Sequence, residues 1–250
     1  MKIRPVVLSA GLVAGLAFQA HAQALQIRFA PRVGQVTHYR MMSRTWASAD
    51  TTAAPTVQAA TYQTQTVMAA DSGAYTLKIV TDSMVSSNAR GGRPGMGGDM
   101  MRGMTVTVRM DARGHVLSTQ VTPPPGLPPF VAGMLTKNAG SSGSPNQRAW
   151  PEGTLQPGDT WTDSMVQSVG SGHGRPQQVV YRVTYTYERL EHQGGDRVAV
   201  IGMKGAPQGG EGGALTGELA VDLDAGRVVR MVTDVVQGQG LSRATLDILP

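Results

Sequence analysis

Met104-Thr105-Val106-Thr107-Val108-Arg109-Met110, followed by Asp111-Ala112-Arg113-Gly114, decides the fold. Side chains at 104, 106, 108 and 110 are apolar and point one way, while Thr105, Thr107 and Arg109 point the other. That period of two marks a half-buried antiparallel strand, and the Gly-terminated tetrapeptide after it is a hairpin turn. The stretch has a counterpart in Glu218-Leu219-Ala220-Val221-Asp222-Leu223 with Asp224-Ala225-Gly226. Earlier in each half, Gly34-Gln35 before Val36-Thr37-His38-Tyr39 is answered by Gly158-Asp159 before Thr160-Trp161-Thr162-Asp163. An internal duplication of this kind fixes architecture more firmly than chemistry.

Working outward, the same alternation recurs along both halves. Val179, Tyr181, Val183, Tyr185 and Tyr187 alternate with Val180, Arg182, Thr184, Thr186 and Glu188. The period predicts strands over about 25–30, 35–46, 57–69, 74–84, 103–111 and 115–121 in the first repeat. In the second it predicts about 159–168, 177–190, 196–204, 214–223, 227–237 and 242–249. Asp71-Ser72-Gly73 and Gln193-Gly194-Gly195 supply further turns. Residues 122–154 join the repeats through a Pro/Gly/Ser-rich linker, in which 129–136 can form one or two helical turns behind Pro129. The expected fold class is all-β: two related antiparallel meanders, about 25–121 and 155–249, forming one strongly curved sheet, a barrel or half-barrel. Neither meander hides its apolar face alone, so residues 23–250 are expected to pack as a single domain.

Residues 1–22 read as an export leader. Lys2 and Arg4 precede the apolar run Val6–Phe18, and Ala20-His21-Ala22 is a small-x-small cleavage site. The run is shorter than the roughly 20 apolar residues of a membrane helix, so the mature chain is expected to be periplasmic or secreted and not membrane-spanning. The chain has no cysteine, which excludes disulfides and a lipidated thiol. Its net charge is +5 at pH 7, and two of the basic side chains leave with the leader. Arg and Lys are scattered, with no cluster of the kind a phosphate backbone requires, so no nucleic-acid partner is expected.

Catalytic signatures are absent from the sequence. There is no thiol, Gly140-Ser141-Ser142-Gly143 is not a nucleophile elbow, and His38, His115, His173 and His192 are far apart in sequence. Carboxylates such as Asp222 and Glu188 fall on the polar side of their strands. No catalytic residue and no cofactor is assigned. Two features can carry binding. Met96, Met100 and Met101 form a thioether cluster beside Met104, a ligand set suited to Cu(I), or else a flexible apolar loop within 86–102. Tyr181, Tyr185 and Tyr187 make an aromatic row on one strand face, which lines a ligand cavity or fills a core.

The order Pro31-x-x-Gly34-Gln35, a strand pair, Trp150-Pro151-Glu152, then Pro157-Gly158-Asp159-Thr160-Trp161 resembles a group of uncharacterised exported bacterial β-proteins. So does the closing Gly217-x-x-x-Val221-Asp222-x-Asp224-x-Gly226. Such proteins are distantly similar to the lipoprotein-carrier half-barrels of the bacterial envelope, in which a curved sheet cups an acyl chain around a helical plug. The resemblance covers most of the chain beyond the leader and brings no catalytic residue. It implies a non-catalytic exported protein holding an apolar or amphipathic ligand, such as a lipid, in the concave face. The alternatives are a structural or assembly factor contacting another envelope protein, and copper binding by the Met loop.

Overall fold

The structure, a computed structural model, describes residues 24–88, 98, 101–139, 149–169, 177–193, 195–209 and 212–250. The first meander comprises β1 (Val36–Trp46), β2 (Val57–Asp71), β3 (Ala74–Asn88), β4 (Thr105–Asp111) and β5 (Val116–Thr122). Helix α1 (Pro129–Ala139) follows. The second comprises β6 (Thr160–Val169), β7 (Gln177–Gln193), β8 (Asp196–Pro207), β9 (Ala214–Asp222), β10 (Arg227–Gln237) and β11 (Gly240–Leu249). All eleven strands form one antiparallel sheet in the order β5-β4-β3-β2-β1-β11-β10-β9-β8-β7-β6. The β1–β11 ladder, from His38↔Leu249 to Trp46↔Leu241, welds the meanders together. β5 and β6 are the two edges and do not pair among the described residues, so the sheet is an open half-barrel.

Hydrogen bonds show how the repeats correspond. The Gly34 amide donates to Val67 O at 2.8 Å and the Val67 amide to Gln35 O at 3.0 Å. In the second repeat, Gly158 donates to Tyr187 O at 2.7 Å and Tyr187 to Asp159 O at 2.9 Å. The bulges agree, falling between Val67 and Ala69 on β2 and between Tyr187 and Arg189 on β7. At the next hairpin, Asp111 Oδ1 accepts from the Arg113 and His115 amides, and Asp222 Oδ1 from the Asp224 and Ala225 amides. Asp111 therefore matches Asp222, and Val108 matches Leu219. The sequence alignment on the shared Asp-Ala dipeptide is two residues out. A two-residue slip leaves every side chain on its face, so Val106, Val108, Met110, Leu219 and Val221 are all buried and Leu223 is half-buried.

Two further expectations need correction. Residues 25–30 are not a sheet strand; Leu25 makes an isolated antiparallel bridge with Leu155. The helix is longer than one or two turns, at 11 residues, and it follows β5.

The 24–33 segment shows how strongly the sheet curls. The Phe29 amide donates to Ala112 O in the β4–β5 hairpin at 2.8 Å, and the next amide, Ala30, donates to Ala225 O in the β9–β10 hairpin at 3.0 Å. Those hairpins are six strand spacings apart in the sheet order, which in a flat sheet is about 29 Å. Carbonyls bonded to consecutive amides lie within about 10 Å of each other. The hairpin end is therefore drawn closed. Side chains of this strap divide between the two cores. Phe29 joins Val67, Leu77, Val106, Val108 and Met110. Leu25 and Ile27 join Tyr39, the β7 tyrosines, Trp150 and Leu155. Gly226 fits against the strap with φ 62°, and a Cβ there would overlap the Arg28 carbonyl oxygen.

Candidate ligand-binding face

Inner-face residues follow from the ladder register. One row crosses the sheet from Met84 through Thr61, Met41, Leu246 and Met231 to Leu219, Ile201 and Tyr187. Met84, Thr61, Met41 and Met231 are only half-buried, whereas Leu219, Ile201 and Tyr187 are buried. The neighbouring row runs from Ser86, Ala59, Ser43 and Ala244 to Thr233, Gly217, Met203 and Tyr185. Here too the β3–β1 side is open, with Ser43 exposed, and the β7–β8 side is sealed, with Met203 and Tyr185 buried.

The tyrosine row lies at the sealed side. Tyr181, Tyr185 and Tyr187 are each no more than 1% exposed. Tyr185 stacks on Trp161, its cross-strand neighbour, with centroids 5.3 Å apart and rings 15° from parallel. Trp150, from the segment joining the repeats, meets Trp161 edge-on at 6.4 Å. Burial pushes the Tyr181 and Tyr187 phenols up, opposed at Tyr181 by the Gly213 backbone. The rings are thus packed as core around Trp161, which is itself half-buried.

Repeat correspondence gives the row its contrast. Val67 matches Tyr187, so Gln65 matches Tyr185, Gln63 matches Val183 and Thr61 matches Tyr181. One repeat fills these inner positions with aromatic and branched residues; the other presents amides and a hydroxyl. Gln65 is 4% exposed and Thr37, beside it on β1, is 5% exposed. Thr37 Oγ1 accepts from Arg227 Nη1 at 2.8 Å. Gln63 and Thr61 are half-buried, and their side chains have no hydrogen-bond partner among the described residues. The sequence pattern missed this patch because β2 does not alternate apolar with polar.

Charge sits on the convex face. Arg40 pairs with Asp247 at 3.1 Å, Arg230 with Glu218 at 3.1 Å, and Arg243 grips both oxygens of Asp234 at 2.7 Å. Hydrogen bonds donated to the Glu191 and Asp234 carboxylates hold the Arg189 and Arg243 guanidiniums further up than usual. Between the hairpin tips, Asp163 is the charged residue at an inner register position among the described residues, and it accepts from the Ala149 amide at 3.2 Å. Asp222 departs from expectation: it is 5% exposed, anchors its turn, and lies 3.4 Å from Arg227 Nε. A lone carboxylate in an alternating strand reads as solvated, whereas the turn amides make this one structural.

The histidines assemble no metal-ligand group among the described residues. His38 Nδ1 lies 3.0 Å from Thr64 Oγ1, which donates to Asp82 at 2.7 Å, on the convex face. His115 sits 3.0 Å from Asp111 at a hairpin. No three His, Cys, Asp or Glu side chains gather as metal ligands among the described residues. Met101 is half-buried against the Phe29–Leu77 cluster, and Met104 is buried in it. Met96, Met100 and His173 lie outside the described residues, as do residues 1–22 and most of 86–102.

No helix among the described residues is long and apolar enough to cross a membrane. No protein-family model and no curated protein matches the chain. Among solved structures it is similar to the hypothetical lipoprotein YmcC from Escherichia coli (K12), at 12% identity over 86% of this chain and 87% of that one, with a TM-score of 0.33. A likeness that slight carries no argument about this chain's fold or function.

Proposed function

We propose that this is a non-catalytic exported binding protein of the bacterial envelope, periplasmic or secreted after removal of residues 1–22, that holds an apolar or amphipathic ligand on the concave face of its sheet. The observation that supports it is the gradient of burial along one row. Leu219, Ile201 and Tyr187 are sealed, while Met41, Met84 and Met231 on the same face remain half-exposed. Methionine adapts its shape to irregular apolar partners, and the buried tyrosines give the face a rigid sealed side. A lipid chain laid over the methionines would remove that apolar surface from water, which is favourable in proportion to the area covered.

Native mass spectrometry of protein recovered from its own envelope, followed by lipid extraction, tests the reading directly. A retained lipid that is lost on Met231→Asp supports it. Recovery without bound ligand, together with no binding of added fatty acids or acylglycerols, overturns it. The second reading, a structural or assembly factor, draws on the unpaired edge at β5, where Val116 is 42% and Leu117 55% exposed. Under that reading, crosslinks from β5 to another envelope protein replace lipid binding.

A further inference from the structure

Resting on that reading, we infer that the ligand's polar portion is uncharged, rich in hydroxyl or amide groups, and seated on β1–β2, with its apolar portion over β10–β11. The strands that form the open part of the face separate their side chains by charge. Every Arg, Lys, Asp and Glu on β1, β2, β10 and β11 occupies an outer register position or a hairpin tip: Arg40, Arg44, Arg230, Asp234, Arg243 and Asp247 among them. The inner positions of the same strands are filled by apolar residues, hydroxyls and amides.

Within that neutral face the polar groups are grouped. Thr61 and Gln63 stand where the other repeat has Tyr181 and Val183, and they are half-buried with no side-chain hydrogen bond among the described residues. Ser43 adds an exposed hydroxyl on the adjacent strand, and the half-buried Met41 and Met231 lie beyond it. A half-buried amide gains from a partner that both donates and accepts, because Gln63 carries both an NH2 donor group and a carbonyl acceptor. A hydroxyl-bearing ester or sugar meets both needs. A carboxylate or phosphate is acceptor-only and would lose water on docking, while the Arg227 guanidinium that reaches Thr37 at the hairpin end of this face is already engaged there and by Asp222.

The test compares two ligands with one tail, 1-oleoylglycerol and oleate, binding to the mature full-length protein at pH 8, by displacement of a neutral fluorescent acylglycerol. The expected result is at least about a tenfold preference for the neutral ester, equivalent to roughly 1.4 kcal/mol. Gln63→Leu and Thr61→Val should each shrink that preference several-fold while oleate affinity and melting temperature hold. Equal affinities, tighter oleate binding, or an undiminished preference in both folded variants would overturn the inference and leave the binding reading standing. Failure of both lipids to bind the wild type would overturn the two together.

Discussion

Gly226→Ala should be among the most damaging small substitutions in the chain, because it acts on the strap that curls the sheet. Two costs combine. A non-glycine residue at φ 62° costs about 1–2 kcal/mol. In addition, the new Cβ overlaps the Arg28 carbonyl oxygen and crowds the Phe29 Cα. Backbone atoms cannot swing aside as a side-chain end can, so the strap must lift. Lifting it loosens the Phe29–Ala112 and Ala30–Ala225 hydrogen bonds, about 1 kcal/mol each, and exposes part of the fully buried Phe29 ring. Gly34→Ala is the control, since Gly34 has φ 82° and nothing within 4 Å of its would-be Cβ. The backbone cost is shared, so the strap contribution is the difference, about 2–4 kcal/mol. Urea unfolding with a shared slope measures it, and amide exchange at Phe29 and Ala30 should accelerate in Gly226→Ala alone. Equal destabilisation by the two substitutions, within about 0.5 kcal/mol, would show that the strap does not hold the curl.

Two further expectations concern the sealed core and the hairpin carboxylate. Tyr185→Ala should cost about 3–5 kcal/mol, as aromatic truncations in packed cores do, because its ring is buried and stacked on Trp161; a loss below about 1 kcal/mol in urea unfolding would mean that the space around it is already open. Partial burial would raise the Asp111 pKa, but hydrogen bonds from the His115 ring and from the His115 and Arg113 amides together hold it below the usual 3.8. A folded-state pKa lowered in this way stabilises the fold above the unfolded value, and that stabilisation disappears as pH falls through the folded pKa. The stability gap between wild type and Asp111→Asn should narrow as pH falls below about 4; a gap unchanged from about pH 5 down to pH 2.5 would contradict it.

Strands and turns were legible because their signals are local. Alternation over Met104–Met110 and Val179–Tyr187 needs no knowledge of the partner strand, and Thr105–Met110 lies in β4 and Val179–Tyr187 in β7. Period-two patterns cannot detect a two-residue slip, which is how Asp111 came to be aligned with Asp224 instead of Asp222. The strap was misread for a related reason. Leu25, Ile27 and Phe29 alternate as a strand does, yet the Phe29 and Ala30 amides bond to two hairpins more than 80 and 190 residues away in sequence. Nothing local distinguishes a strand in a ladder from an extended segment tied across a curl. The tyrosine row was legible as an inner face, but its sealing depends on Trp150, which arrives from the segment joining the repeats.

The two repeats share hydrogen bonds, bulges and turn carboxylates while differing in what fills the inner face, and that difference organises the molecule. At matched positions β7 carries Tyr181, Val183, Tyr185 and Tyr187, and β2 carries Thr61, Gln63, Gln65 and Val67. Filling both copies with tyrosines would seal the face from edge to edge and leave a core with no accessible side. Lining both with amides would remove the apolar area on which a sheet of this size depends. Keeping one copy aromatic supplies a stable wall that closes around Trp161. The other copy, relieved of that packing role, keeps the Gln63 amide and the Thr61 hydroxyl half-open beside the β1–β11 seam. The strap then has a clear physical task. It ties hairpins from both copies at one end, so the stable half fixes the curvature against which the accessible half presents its neutral polar groups.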